Sequence, residues 1–180
     1  YIAALKPSLD GIQIARLRFQ RCGGLGEPVF SFDTETGRDG WTITEGSFPM
    51  IFCDKPHADY AGPAKFVIGT CETKTGSYDD TFTGVIESPP FELAGDVYYL
   101  LVAGGCDSEK VYVAVIDDAS KEELVRYTGN SANALQRNRF MTLGNKGRKV
   151  RIRIVDRAIG PWGHINFGGI YNEDPTTFIQ

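Results

Sequence analysis

From residue 148 the chain reads "RKVRIRIVD", and apolar and charged positions alternate without a break. Val150, Ile152 and Ile154 fall on one face of an extended strand, Arg151 and Arg153 on the other. Strict period-two patterning means one face buried and one wet. The same period recurs in "GWTIT" (40–44) and in "KVYVAVIDD" (110–118), which stops at an Asp pair. "AKFVIG" (64–69) is a short apolar run, and "GVIESPPFEL" (84–93) meets two prolines, which suits a strand end or an edge. "DVYYLLVAGG" (96–105) is apolar on both faces and belongs at the centre of a sheet. Tyr98 and Tyr99 must face opposite ways within it. "HINFGGIY" (164–171) is expected as the closing strand.

Helical periodicity is almost absent. "ASKEELVRYTG" (119–129) is the best helical candidate and reads equally well as a hairpin turn feeding a strand. Strands spaced this way between Gly, Pro and Asp clusters point to an all-β chain. About seven or eight of them, mostly antiparallel, make a two-layer antiparallel β-sandwich of jelly-roll type the expected fold. The sandwich is expected over 29–174, with 175–180 as a tail. Residues 1–28 behave differently, with one strand-like segment, "GIQIARLRF", before a Gly- and Pro-containing end. They suit a linker, the tail of a preceding domain, or an added strand.

Composition narrows the functions open to such a fold. The 180 residues are 42% hydrophobic and 23% charged, which is ordinary globular composition. A net charge of −4 with scattered basic residues argues against a nucleic-acid partner. No apolar run reaches the roughly 18 residues of a membrane span. The chain begins at Tyr1 without Met, as expected of a mature or excised piece. Four cysteines, Cys22, Cys53, Cys71 and Cys106, form no CxxC pair. An even count at wide spacing suits two disulfides, Cys53–Cys71 and Cys22–Cys106 among three pairings, and an extracellular or cell-surface location. Four buried thiols are the alternative.

Catalytic signatures are missing. The histidines are His57 and His164 alone, no GxSxG elbow occurs, and "GGLGEP" opens no helix. Asp54, His57 and Asp59 share a loop, but their spacing is a weak metal signal. An enzyme is not expected. Sugar binding needs less: an exposed aromatic ring for the C–H face, beside polar groups for the hydroxyls. Three loops offer these. "GGCDSEK" carries Asp107 and Glu109, "TGSYDDTF" carries Tyr78, Asp79 and Asp80, and "RAIGPWGH" carries Arg157, Trp162 and His164. Trp41 starts a strand after a turn and is expected in the core. Trp162 and His164 sit at a corner between strands, where each could serve the core or a ligand.

"FDTETGRDGWTIT", "TGVIESPPFEL", "LLVAGG" and "RIRIVDRAIGPWGHINFGGI" occur in this order. Together they resemble the β-sandwich module attached to bacterial fructan hydrolases such as levanases and inulinases. Asp156, Trp162, Gly163, His164, Ile165 and Asn166 match the most specific element, a closing run with "GWGHIN". The resemblance implies a galactose-binding-like jelly roll, non-catalytic, whose partners are a glycan or neighbouring protein domains. A structural or adhesive domain without a sugar site is the alternative. Sandwiches of this broad class often hold a structural calcium near the first and last strands. Gly168 and Gly169 replace the acidic pair usual in the last strand, so any calcium would fall to Asp33, Glu35 and Asp39.

Overall fold

The computed structural model describes residues 26–54 and 64–173. The segment 1–25, with Cys22, the loop residues His57 and Asp59, and the tail 175–180 lie outside the described residues.

Two antiparallel sheets stack face to face. The first orders its strands as β10 (Ala132–Met141), β7 (Val97–Gly104), β12 (Ile165–Asn172), β4 (Val67–Gly69) and β3 (Phe52–Cys53), with β1 (Glu27–Phe30) also paired to β12. The second runs β2 (Thr42–Gly46), β5 (Gly84–Glu87), β11 (Lys149–Asp156), β8 (Val111–Asp117) and β9 (Glu123–Tyr127), with β6 (Phe91–Glu92) also on β11. The chain crosses from one sheet to the other at every connection except β3–β4, β5–β6 and β8–β9. That is the expected jelly-roll sandwich.

Patterning explains where each strand sits. β7 is buried on both faces between β10 and β12, as its continuous apolar run requires. On β11, Val150, Ile152 and Ile154 enter the core, while Arg151 pairs with Asp118 and Arg153 with Glu87 on the outer face. Tyr98 points into the core and Tyr99 points away, where the Arg137 guanidinium stacks 3.4 Å from its ring centroid. Trp41 packs edge-on against Phe30 and Phe32 at 5.4 Å, inside the core as expected. Burying rings of this size contributes about 2–3 kcal/mol each relative to exposure.

The segment 119–129 resolves as a hairpin. Asp117 Oδ1 accepts the amides of Ala119 and Ser120 at 3.0 and 2.8 Å, which turns the chain from β8 into β9. Pro89 and Pro90 split the expected strand 84–93 into β5 and β6, because proline cannot extend the ladder.

Gly169 has φ +124, and a Cβ there would lie 2.5 Å from the Phe30 carbonyl oxygen. A bulge at Phe167–Gly169 and the close approach of β1 therefore need glycine at position 169.

The disulfide expectation is corrected. Cys53 pairs opposite Val67 on β4, and Cys71 lies four residues further along that chain. At strand rise that is on the order of 10 Å, more than the roughly 7 Å between Cα atoms that a disulfide tolerates. No disulfide forms among the described residues: Cys53 and Cys71 are buried thiols and Cys106 is an exposed one.

Candidate functional site

The segment between β11 and β12 builds the candidate site. The Gly163 amide donates to the Gly160 carbonyl at 2.8 Å, closing a tight turn with Pro161 and Trp162 at its centre. Pro161 presets the first central position, and Trp162 takes the second with φ +62. Glycine or asparagine normally fills that position, because a left-handed backbone costs a bulky residue about 1–2 kcal/mol. The indole is 40% exposed. Two backbone bonds pin the turn: Gly160 N–H to the Asp80 carbonyl at 3.2 Å, and Arg157 N–H to the Lys110 carbonyl at 2.8 Å. Gly105 completes the seat, since a Cβ there would lie 2.1 Å from the Trp162 carbonyl oxygen.

An open hollow of about 420 Å³ lies beside this turn, lined among others by Asp107, Lys110, Arg157, Ile159 and Trp162. Three of the sequence-predicted ligand residues, Asp107, Arg157 and Trp162, therefore meet at one rim. Asp107 is fixed by the turn it starts: its carbonyl accepts the Val111 amide at 2.8 Å and its Oδ1 the Glu109 amide at 3.0 Å. Arg157 reaches Glu45 at 2.9 Å across the neighbouring strands. Glu109 turns to Arg126 instead, 3.7 Å away. Lys110 and Ile159 were not foreseen, since a lysine at a strand start and an isoleucine in a loop carry no signal of their own.

His164 and Asp80 lie behind the rim. The His164 ring is 4% exposed, tilts 30° to the Trp162 indole at 5.7 Å, and places Nδ1 2.9 Å from Asp80 Oδ1. The pair supports the turn from beneath and does not face the hollow. Asp79 caps its own turn by accepting the Thr81 amide at 2.9 Å. Tyr78 is 58% exposed and does not line the hollow.

Below the pair, Thr70, Cys71, Glu72, Asp156 and Asn166 form a buried polar layer. Burial pushes the Cys71 thiol up, with the charges of Glu72, Asp80 and Asp156 adding to it. Burial also pushes the Asp156 carboxyl up to about 7, against the Thr70 hydroxyl and the Ala158 amide, which pull it down.

The expected calcium ligands do not converge. Asp33 Oδ1 accepts the amides of Lys65 and Phe66 at 2.9 and 3.2 Å, while Glu35 and Asp39 stay exposed. Among the described residues the one group of three or more His, Cys, Asp or Glu ligand atoms is Cys71, Asp80 and His164.

Comparison with known proteins follows from this geometry. No protein-family model matches the chain. A protein of Aspergillus rugulosus named as a glycosyl hydrolase, EcdE, is 30% identical over 87 residues, which is 48% of this chain and 12% of that protein. Among solved structures, TmCBM61 in complex with β-1,4-galactotriose superposes with a TM-score of 0.48 at 15% identity, over 74% of this chain and 87% of that one. The C-terminal extracellular domain of Mycobacterium tuberculosis EmbC gives 0.46 at 12% identity, over 84% and 61%. The K3 adhesin domain of Lys-gingipain from Porphyromonas gingivalis gives 0.42 at 13%, over 73% and 90%. The chain is a two-layer β-sandwich with a rim at one end.

Proposed function

We propose that this chain is a non-catalytic carbohydrate-binding module of a larger extracellular or surface protein. One observation carries the reading: a left-handed turn residue, Trp162, lies part-exposed at a hollow that also gathers Asp107, Lys110 and Arg157. An indole offers a flat apolar face to sugar C–H groups, and the charged side chains offer donors and acceptors to hydroxyls. Partial identity to EcdE, a much longer protein named as a glycosyl hydrolase, fits a module carried beside a catalytic domain. So does the resemblance to fructan-hydrolase modules in "GPWGHIN".

A glycan array spanning fructans, galactosides and other common plant and microbial sugars tests the reading. Binding to one glycan class, weakened at least tenfold by Arg157→Ala, is expected. Silence across the array overturns it.

The rival, a structural or adhesive domain, draws on β10. That strand forms the outer edge of its sheet, and Met141 and Leu143 are exposed at its end. Concentration-dependent self-association abolished by Leu143→Lys would favour that reading.

A further inference from the structure

The buried layer behind the rim holds a set of atoms that sugar binding does not use. Cys71 follows β4, Asp80 sits in the loop before β5, and His164 leads into β12. One Sγ, one carboxylate oxygen and one imidazole nitrogen from these residues all lie within 4.8 Å of one another. We propose that Cys71, Asp80 and His164 form a binding site for a zinc-class transition-metal ion.

Spacing supports it. Tetrahedral zinc holds sulfur at about 2.3 Å and nitrogen or oxygen at about 2.0–2.2 Å. Ligand atoms around such an ion therefore stand roughly 3.3–3.8 Å apart, inside the envelope this group already occupies. The 2.9 Å between His164 Nδ1 and Asp80 Oδ1 needs to open by only a few tenths of an ångström. A thiol and an imidazole together select zinc, cobalt or iron over calcium or magnesium, which prefer oxygen alone.

The scaffold is rigid on all three sides. The Asp79 amide donates to the Cys71 carbonyl at 2.8 Å, tying the loop that carries Asp80 to the end of β4. The Thr70 amide donates to the Ile165 carbonyl at 3.2 Å, and the Ile165 amide donates to the Thr70 hydroxyl at 3.0 Å. Those bonds lock Cys71 and His164 side by side.

A buried oxygen without a partner gives a second, independent indication. Asp156 is 1% exposed, and its Oδ2 has no hydrogen-bond partner. Its Oδ1 accepts the Ala158 amide at 3.2 Å, so Oδ2 is the one open oxygen of this carboxylate. A buried carboxylate oxygen left without a partner is costly. A divalent cation held by the three ligands supplies the compensation.

The experiment titrates reduced, chelator-stripped protein with cobalt(II). One equivalent per chain is expected to produce a thiolate-to-cobalt absorption band, together with the visible bands of a tetrahedral ion. Zinc is expected to bleach both. Cys71→Ser is expected to remove the band, and Asp80→Asn to weaken cobalt binding about tenfold or more. Cys106→Ser and His57→Ala are expected to leave the spectrum unchanged. Wild-type protein that shows no band, or a band that survives Cys71→Ser, overturns the proposal. Because wild type alone can fail the test, misfolding of a variant cannot shelter it. Glycan binding does not enter, so failure here and failure of the sugar-binding reading are separate results.

Discussion

The outer face of the second sheet and the corner behind Trp162 both hold clustered acids, yet they treat them in opposite ways. Along the outer face and its edge, three acids meet cations. Asp118 bonds Arg151, Glu87 bonds Arg153 at 2.7 Å, and Asp117 lies 3.4 Å from Arg148. The Ser120 amide holds the Asp117 carboxyl below its usual range, and the Arg151 guanidinium does the same for Asp118. At the corner, Asp156 is buried among Thr70, Cys71 and the Asp80–His164 pair, and burial moves it the other way. One strand carries both regimes: Arg151 and Arg153 lie along β11 and Asp156 ends it. Solvated acids with cation partners are a structural finish, whereas a buried acid without one marks chemistry waiting for a partner.

The largest effect should come from the corner. His164→Ala leaves Asp80 part-buried without its imidazole, and urea unfolding should show a loss of roughly 1–3 kcal/mol for the lost hydrogen bond. A loss near zero would mean that the corner is as wet as the outer face. Next comes pH, measured with a chelator present. The Asp156 carboxyl rises from 3.8 to about 7 on folding, so its contribution is complete below about pH 4 and lost as pH climbs through about 7. The decline should amount to a few kcal/mol, and Asp156→Asn should flatten it. Asp117 and Asp118 have the opposite sign, because their lowered values confer stability above the usual carboxylate range that is lost as pH falls through them. Smallest is Arg153→Ala. Its partner Glu87 remains solvated, and the expected cost is at most about 1 kcal/mol, read from the same urea curves.

Most of the fold was legible because alternation is a direct record of burial. β7, β8, β11 and β12 could be placed from pattern alone, and Trp41 with them. β10 escaped notice, although it runs ten residues. It is an edge strand that buries only Phe140 well, so "ANALQRNRFM" shows little alternation. β1 and β3 are too short to carry a period. The site was half legible. Asp107, Arg157 and Trp162 converge because strand ends bring loops together, which residue type and loop position could suggest. That His164 turns inward to Asp80, and that Cys71 joins them in place of a disulfide, depends on contacts between residues up to 93 positions apart in the numbering of Cys71 and His164. One signal for Asp156 was available: an acid closing the apolar run of β11 enters a buried layer unless the chain turns outward at once.

Trp162→Gly tests the central claim most directly, because glycine accepts the left-handed backbone that tryptophan endures. If Trp162 is held out for a ligand, this variant keeps or slightly raises the melting temperature while binding of the array-identified glycan falls by at least tenfold in calorimetry. If the indole is instead a cap on the sandwich, the melting temperature drops and any glycan binding persists, and the account of this corner is wrong.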